Sequence, residues 1–318
     1  MSFSLLVTES MSDIGMDWLR ERGVTVKYGR GIDAETLIED IQGCQAVITR
    51  LAVLDRTVLE KATELRVIAR HGAGVDSVDL EYCKEKGIVV LRNVGTNSTA
   101  VAEHAVSLIL ALAKKLPKRE SLYRADKFNE GRKIKAVELN GKTLGLVGMG
   151  HIGAIVANIC ANGFGMNVLV FDPYIRKESL SDGIRIVNSK QELFSKADFI
   201  SVHVPATPET KNSIGEKEFS CMKKTAFFIN TSRGTVVDES ALIDALKSGL
   251  IAGAGLDVTV DEPASMNNPL FCFDNVIMTP HCAGSSEDAL DKASIAAAKG
   301  CYNVIHGIEV EAPAVIVV

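Results

Sequence analysis

From Ser4 to near its end, the chain alternates short apolar runs with amphipathic stretches. SLLVT, VTVKY, AVIT, RVIAR and IVVL read as strands, and DIGMDWLRERG and DLEYCKEKG between such runs carry helical spacing and close on glycine. Strand, helix and strand repeated in this way imply a parallel sheet with helices on both faces. The pattern changes at Ser98. STAVAEHAVSLILALAKKLP places apolar residues at 101, 105, 108, 109, 112 and 116, which predicts a long helix stopped by Pro117. A basic, less periodic stretch follows to Asn140, and alternation then resumes with TLGLVG, VLVFD, ADFISVHV, AFFIN, AGAGLDV and VIMTP. Two α/β units are therefore expected, both Rossmann-like doubly wound parallel sheets. A last helix is expected from near Ser285 to about His306, with Glu287 and Asp288 at its positive end. The tail EVEAPAVIVV is too short for a domain and should fold back on the first unit. The second unit, 98–285, is then an insertion in the first, 1–97 and 286–318, and ligands commonly bind in clefts between such domains.

The 318 residues are 47% hydrophobic and 24% charged, enough for two cores, and a net charge of −5 without like-charge blocks offers no surface for nucleic acid or an anionic membrane. A small molecule is the expected partner. No run of eighteen apolar residues lacks a charge and MSFSLLVTES has no basic leader region, so the chain reads as a soluble, unprocessed, cytoplasmic protein. Cysteines at 44, 83, 160, 221, 272, 282 and 301 include no CxxC pair; they read as reduced thiols, with no disulfide framework and no metal site expected.

GMGHIG, from Gly148 to Gly153, follows the strand TLGLVG and opens the helical AIVANICANGFG. Gly148 suits a tight turn, Gly150 lets backbone approach a pyrophosphate at the helix start, and Gly153 lets the helix lie close on the sheet. Nineteen residues beyond Gly153 the next strand ends at Asp172, where a carboxylate bonds ribose hydroxyls and repels a 2′-phosphate. NAD is therefore expected over NADP, although Arg176 lies close enough to blur that preference.

Three charge-capable groups end later strands of the same sheet. Arg233 follows AFFIN, Asp257 and Glu262 lie in GLDVTVDEP, and His281 lies in VIMTPHCAG. Residues just past strand C-termini line the ligand crevice of an open parallel sheet. An arginine there can clamp a carboxylate, a histidine can exchange the proton that accompanies hydride transfer, and a glutamate beside it favours imidazolium and fixes its tautomer. Singly, Arg233 also reads as a structural ion pair, Glu262 as a solvated turn residue and His281 as a core histidine. Together behind a dinucleotide motif they point to a 2-oxo or 2-hydroxy acid.

The stretches HGAGVDSVDL, VGTNSTAVAEHAVSLILAL, LNGKTLGLVGMGHIG, VHVPATPET, INTSRGTVVDESAL, AGAGLDVTVDEP and TPHCAGSS, in this order and spacing, resemble the D-isomer-specific 2-hydroxyacid dehydrogenases over essentially the whole chain. The resemblance implies Arg233, Glu262 and His281 as the catalytic set. It implies a substrate carboxylate held by the amides of Ala73, Gly74 and Val75 together with Arg233, with Asn97 beside the substrate. For the cofactor it implies Gly148, Gly150, His151, Ile152, Gly153, Asp172, His203, Pro205, Thr231, Ser98, Thr99, Ala283 and Gly284, with Asp257 on the nicotinamide carboxamide. The helix from 98 and the arm to about 140 resemble the family's dimer interface, so a homodimer, or a tetramer built from it, is expected. Within the family the motifs look closest to D-3-phosphoglycerate dehydrogenases, and Arg50 and Arg70 stand where a second anionic group of the substrate would be met, or make ordinary salt bridges. Glyoxylate, hydroxypyruvate, lactate, malate-like and sulfolactate chemistry stay open, and the sequence ends without the C-terminal regulatory extension of many phosphoglycerate dehydrogenases. An NADH-sensing corepressor-like binding protein is the alternative of another class. A formate dehydrogenase is disfavoured because Glu262 stands where those enzymes resemble one another in using glutamine.

Overall fold

The computed structural model describes residues 3–175 and 183–318, so Arg176 lies outside the described residues. The chain divides into two compact units: one runs to Asn97 and resumes over Gly284–Val318, the other is Ser98–Ala283. The return crossing therefore falls two residues before the expected one, and Gly284 and Ser285 belong to the first unit.

The first unit opens with β1 (Ser4–Val7), α1 (Ile14–Arg20), β2 (Thr25–Tyr28), α2 (Ala34–Asp40), β3 (Ala46–Thr49), α3 (Arg56–Leu59), β4 (Val67–Arg70), α4 (Leu80–Lys86) and β5 (Val89–Asn93). Asp33, Asp55 and Asp79 each cap the following helix by accepting the amide three residues on, worth about 1 kcal/mol per cap.

The second unit begins with α5 (Ser98–Lys114), α6 (Leu116–Arg124) and α7 (Phe128–Lys133). Pro117 is not the helix stop that the sequence suggested. Lys115 takes a left-handed φ of 51° and ends α5, while Pro117 sits in the first turn of α6, where a missing N–H costs no hydrogen bond. The unit continues with β6 (Thr143–Val147), α8 (His151–Asn158), β7 (Asn167–Phe171), β8 (Ile184–Ile186), α9 (Lys190–Lys196), β9 (Phe199–Val202), α10 (Glu216–Phe219), β10 (Phe227–Asn230), α11 (Glu239–Lys247), β11 (Gly253–Leu256) and β12 (Val276–Met278). The chain then returns to the first unit as α12 (Glu287–His306), capped by Ser286, and β13 (Ala314–Ile316).

The first sheet has the order β13-β5-β4-β3-β1-β2, parallel except for β13, which lies antiparallel on β5. The tail therefore folds onto the first unit. The second sheet, β12-β11-β10-β9-β6-β7-β8, is parallel throughout and reverses strand order between β6 and β9. Alternate residues of each sheet feed two cores, one per face. Leu6, Val47, Ile68 and Val90 face one way in the first unit and Leu5, Ile48, Ala69 and Leu91 the other. In the second, Ile200, Phe228 and Ala254 face α9 to α11 while Phe199, Phe227 and Ile229 pack with α5 and α8. Burying a sheet on both faces is what the near-continuous apolar strands require.

Register places the site. Phe171, Val147, Val202, Asn230, Leu256 and Met278 are Cα partners in neighbouring strands, so the strand C-termini end level. Asp172, the Gly148 turn, His203, Thr231 to Arg233, Asp257 to Glu262 and Thr279 to Ala283 all follow that row within a few residues. Among the described residues no helix is long and apolar enough to cross a membrane.

Candidate active site

The turn after β6 is built for close backbone approach. Gly148 has φ 96°, and a Cβ there would lie 2.7 Å from the His203 carbonyl oxygen; a Cβ on Gly153 would lie 2.3 Å from the Gly148 oxygen. Gly150, by contrast, would meet nothing within 4 Å. It caps α8 in extended conformation, with exposed His151 and half-buried Ile152 next along the helix. Asp172 accepts the Met149 amide on Oδ2 and the Tyr174 amide on Oδ1, each at 2.9 Å. It thus pins the glycine turn and brings a negative charge to the end of β7, while each oxygen keeps a lone pair.

His203 bonds Ser201 Oγ through Nε2 at 2.9 Å, and burial pushes its pKa down to about 4, so the ring is neutral. Its Nδ1 and the hydroxyl of buried Thr231 have no partner among the described residues. Buried polar atoms rarely stay unsatisfied, and these two follow β9, on one side of the switch point, and its neighbour β10. An open glycine at a helix start, a carboxylate beyond the next strand and two orphaned polar atoms fit a dinucleotide. Pro205 follows, exposed. Thr99 is exposed and Ser98 buried at the start of α5.

Arg233 is held by its own turn. Buried Asn230 donates from Nδ2 to the Arg233 carbonyl at 3.0 Å, while its Oδ1 accepts the Ser232 amide and hydroxyl. The Arg233 guanidinium donates from Nη1 to the Ser232 carbonyl at 2.8 Å. Gly234 explains the RG pair: a Cβ there would lie 1.9 Å from the Thr259 carbonyl oxygen, so only glycine lets this turn seat on the backbone that leads to Glu262. Glu239 of α11 braces the same loop, accepting the Val260 amide and the Asn268 side chain.

Glu262 and His281 meet at 2.7 Å, Oε2 to Nδ1. Burial pulls the Glu262 carboxyl upward, but the hydrogen bond and charge of His281, the Thr259 amide and the Arg233 charge outweigh it and hold the carboxyl below its usual range. An ionised Glu262 fixes the tautomer of the ring and leaves Nε2 as its working nitrogen. Arg233, Glu262 and His281 are thus brought together as a unit.

His281 itself adopts φ 49°, a conformation costing roughly 1–3 kcal/mol for a residue with a side chain. Its amide donates to the carbonyls of Asp257 and Thr279. The next two amides, Cys282 and Ala283, donate to Asp257 Oδ1 and Oδ2 at 3.0 and 2.9 Å. Asp257, 1% exposed, therefore has an internal task beside the carboxamide contact expected of it. Thr279 Oγ1 lies 2.5 Å from Asp257 Oδ1 and 3.0 Å from His104 Nε2. His104, Asp257 and Cys282 bring one nitrogen, one oxygen and one sulfur within 4.8 Å, and hydrogen bonds account for that proximity. His104 and Thr279 were not singled out in the sequence; the only signals there are a histidine on the apolar helix and a threonine two residues before His281.

In the first unit, Arg70 spends two donors on backbone, Nε on the Gly74 carbonyl at 2.9 Å and Nη1 on that of Arg50 at 2.6 Å. These two bonds tie it to the loop after β4. Arg50 donates from Nη2 to Ser285 Oγ at 2.7 Å. No acceptor is found among the described residues for the amides of Ala73, Gly74 and Val75, so that loop offers three donors in succession. Asn97 packs under Gly284, where a Cβ would lie 2.7 Å from its Nδ2. His71 is buried beside both arginines; burial first, then the charges of Arg50 and Arg70, lower its pKa to about 4.

Residues 106–283 match the family model described as the NAD binding domain of the D-isomer specific 2-hydroxyacid dehydrogenases. The chain belongs to that family. Arg233, Glu262 and His281 all fall inside the match. The D-3-phosphoglycerate dehydrogenase of Methanocaldococcus jannaschii is 40% identical over 95% of this chain and 57% of its own length. The glyoxylate reductase of Korarchaeum cryptofilum is 38% identical over 80% of this chain and 77% of its own. The structure of D-lactate dehydrogenase from Aquifex aeolicus complexed with NAD and lactic acid superposes with a TM-score of 0.85 at 32% identity, covering 96% of each chain. The chain of this family member spans less than three fifths of the length of phosphoglycerate dehydrogenases such as the Methanocaldococcus protein.

Proposed function

We propose that the chain is an NAD-linked D-2-hydroxyacid dehydrogenase, interconverting a small 2-oxo acid and its D-2-hydroxy acid. The observation that carries this is the 2.7 Å bond from Glu262 to His281, set beside Arg233 at the level C-terminal edge of a sheet whose first turn is the Gly148 motif. Bound at that turn and along Thr231, the nicotinamide would supply or accept the hydride at C2 of the acid. Arg233 binds the carboxylate and polarises the C2 carbonyl. His281 delivers a proton from Nε2 to the carbonyl oxygen during reduction and removes it during oxidation. Glu262 stays ionised, orients the ring through Nδ1 and stabilises the imidazolium form. The free amides of Ala73, Gly74 and Val75 serve the carboxylate as well, and Asp257 accepts from the carboxamide on Oδ2.

Asp172 supports NAD over NADP through its charge at the ribose position. A substrate with a second anionic group, of the 3-phosphoglycerate kind, is favoured by Arg50 and by the phosphoglycerate dehydrogenases among the relatives; Arg70 acts through the loop it holds. Leu116, Tyr123 and Phe128 are 52, 70 and 52% exposed on helices α6 and α7, which bury no residue of their own. That surface supports a homodimer through the arm. The test is loss of NADH absorbance on a panel of 2-oxo acids: phosphohydroxypyruvate, hydroxypyruvate, glyoxylate, pyruvate, oxaloacetate, 2-oxoglutarate and sulfopyruvate. One dianionic acid should exceed the rest by about a hundredfold in kcat/KM, the worth of one well-met charge. A monoanionic acid ahead of all others would remove the second-anion reading.

A further inference from the structure

We propose that Thr279 and His104 are positioning residues for the proton transfer at His281, acting through the buried carboxylate of Asp257; this rests on the dehydrogenase reading above. The turn that carries His281 is strained at φ 49°, and strain of this kind persists only where the surroundings over-determine the backbone. Here the surroundings are Asp257. Its carbonyl accepts the His281 amide at 2.8 Å, and its two carboxylate oxygens accept the next two amides. A carboxylate 1% exposed with only amides for company would be a poorly compensated buried charge.

Thr279 and His104 complete its shell. A hydroxyl has one proton to give, and an ionised carboxylate can only accept. The 2.5 Å contact is therefore Thr279 donating to Asp257 Oδ1. Thr279 Oγ1 must then accept from His104, which fixes the proton on His104 Nε2. The same Nε2 stands 3.6 Å from Asp257 Oδ1. The relay thus runs from α5 through Thr279 to the carboxylate that seats residues 281–283. Without it Asp257 Oδ1 keeps the Cys282 amide and, at 3.7 Å, the Cys282 thiol, and the carboxylate is held less firmly against the turn. Displacement of His281 by a fraction of an ångström against Glu262 and the substrate is enough to slow proton transfer.

The test compares wild type with Thr279→Val, Thr279→Ser, His104→Leu and His104→Gln on the best acid of the panel. Thr279→Val should lower kcat roughly 10- to 100-fold, the range for a buried acceptor left unsatisfied. The primary isotope effect from C4-deuterated NADH on kcat should rise, because the chemical step becomes slower while release does not. Thr279→Ser keeps the hydroxyl and His104→Gln keeps a donor, so both should restore most of the rate. If Thr279→Val does not fold, His104→Leu, at a side chain 21% exposed, carries the same expectations. Wild-type kcat in Thr279→Val and His104→Leu would overturn the proposal. So would a loss of kcat with an unchanged isotope effect or without rescue by serine, since either marks a merely structural role.

If wild type turns over no acid, it is the dehydrogenase reading that fails. The positioning claim is then judged by the His281 ring signal in NMR, identified among the six histidines as the one lost in His281→Gln. A shifted or broadened signal in Thr279→Val upholds it, and an unchanged one overturns it.

Discussion

Replacing Gly234 by alanine tests the link between the arginine and the glutamate. The added Cβ would lie 1.9 Å from the Thr259 carbonyl oxygen, 2.0 Å from its carbon and 2.5 Å from the Val260 nitrogen. Every clashing atom is backbone, so no side chain can swing aside. An ordinary carbon–oxygen contact needs about 3.4 Å, so the two segments must part by roughly 1.5 Å. One segment carries Arg233 and the other leads in three residues to Glu262, so the parting falls on the proposed catalytic set. Overpacking of this kind costs about 1–3 kcal/mol of stability, and misplacement by an ångström costs on the order of a hundredfold in turnover. Gly234→Ala should lower Tm by several degrees and kcat/KM by about a hundredfold. NADH affinity, read from the quenching or enhancement of its fluorescence, should fall less than kcat/KM, because the Gly148 turn lies on another strand while only Thr231 and Asp257 border the parted segments. Near-wild-type kcat/KM in Gly234→Ala would refute the argument that this contact aligns Arg233 with Glu262.

The other expectations follow from the same geometry. His281→Gln should drop kcat roughly 10²- to 10⁴-fold, and Arg233→Gln should raise KM for the oxo acid steeply with NADH binding kept; steady-state kinetics reads both. Gly148→Ala should abolish NADH binding, measured by calorimetry, because φ 96° and the His203 carbonyl leave no room for a side chain. The Glu262 carboxyl is held below its usual range, so its stabilising effect is full above the unfolded pKa and fades as pH falls through the folded one. The difference in Tm between wild type and Glu262→Gln should therefore shrink in acid. His71 has the opposite character: the unfolded chain takes up a proton near 6.5, the folded one only at about 4. Stability should fall as pH drops between those values, by about 2 to 3 kcal/mol for this group, and His71→Gln should flatten that part of the profile in thermal melts.

The grouping of Arg233, Glu262 and His281 was legible because a parallel sheet ends its strands level. Arg233, Glu262 and His281 are far apart in sequence, yet each follows β10, β11 or β12 by a few residues, and register does the rest. The strands themselves were legible as apolar runs because both faces of each sheet are buried. Where burial is one-sided or absent the signal fades: β8 is a short edge strand with a polar middle residue, and α6 and α7 bury no residue. Pro117 misled because a proline that cannot continue a helix can begin one, and the break at Lys115 is a backbone choice that no side chain announces. Arg70 read as an anion receptor or an ordinary salt bridge, and its bonds to carbonyls twenty and four residues away were not legible, because such partners have no side-chain signature. The Thr279 and His104 relay was invisible for a related reason, since a threonine beside a proline and a histidine on an apolar helix reveal nothing until β11, β12 and α5 are packed together.

Proton transfer coupled to reduction is the heart of the account, so the most direct measurement is NADH consumption on the 2-oxo acid panel by wild type and His281→Gln side by side, with chiral analysis of the product. The account predicts turnover by wild type to the D-2-hydroxy acid and a loss of at least about a hundredfold in the variant with NADH binding intact. NADH binding without oxidation on any acid, or equal rates in the two proteins, would contradict it.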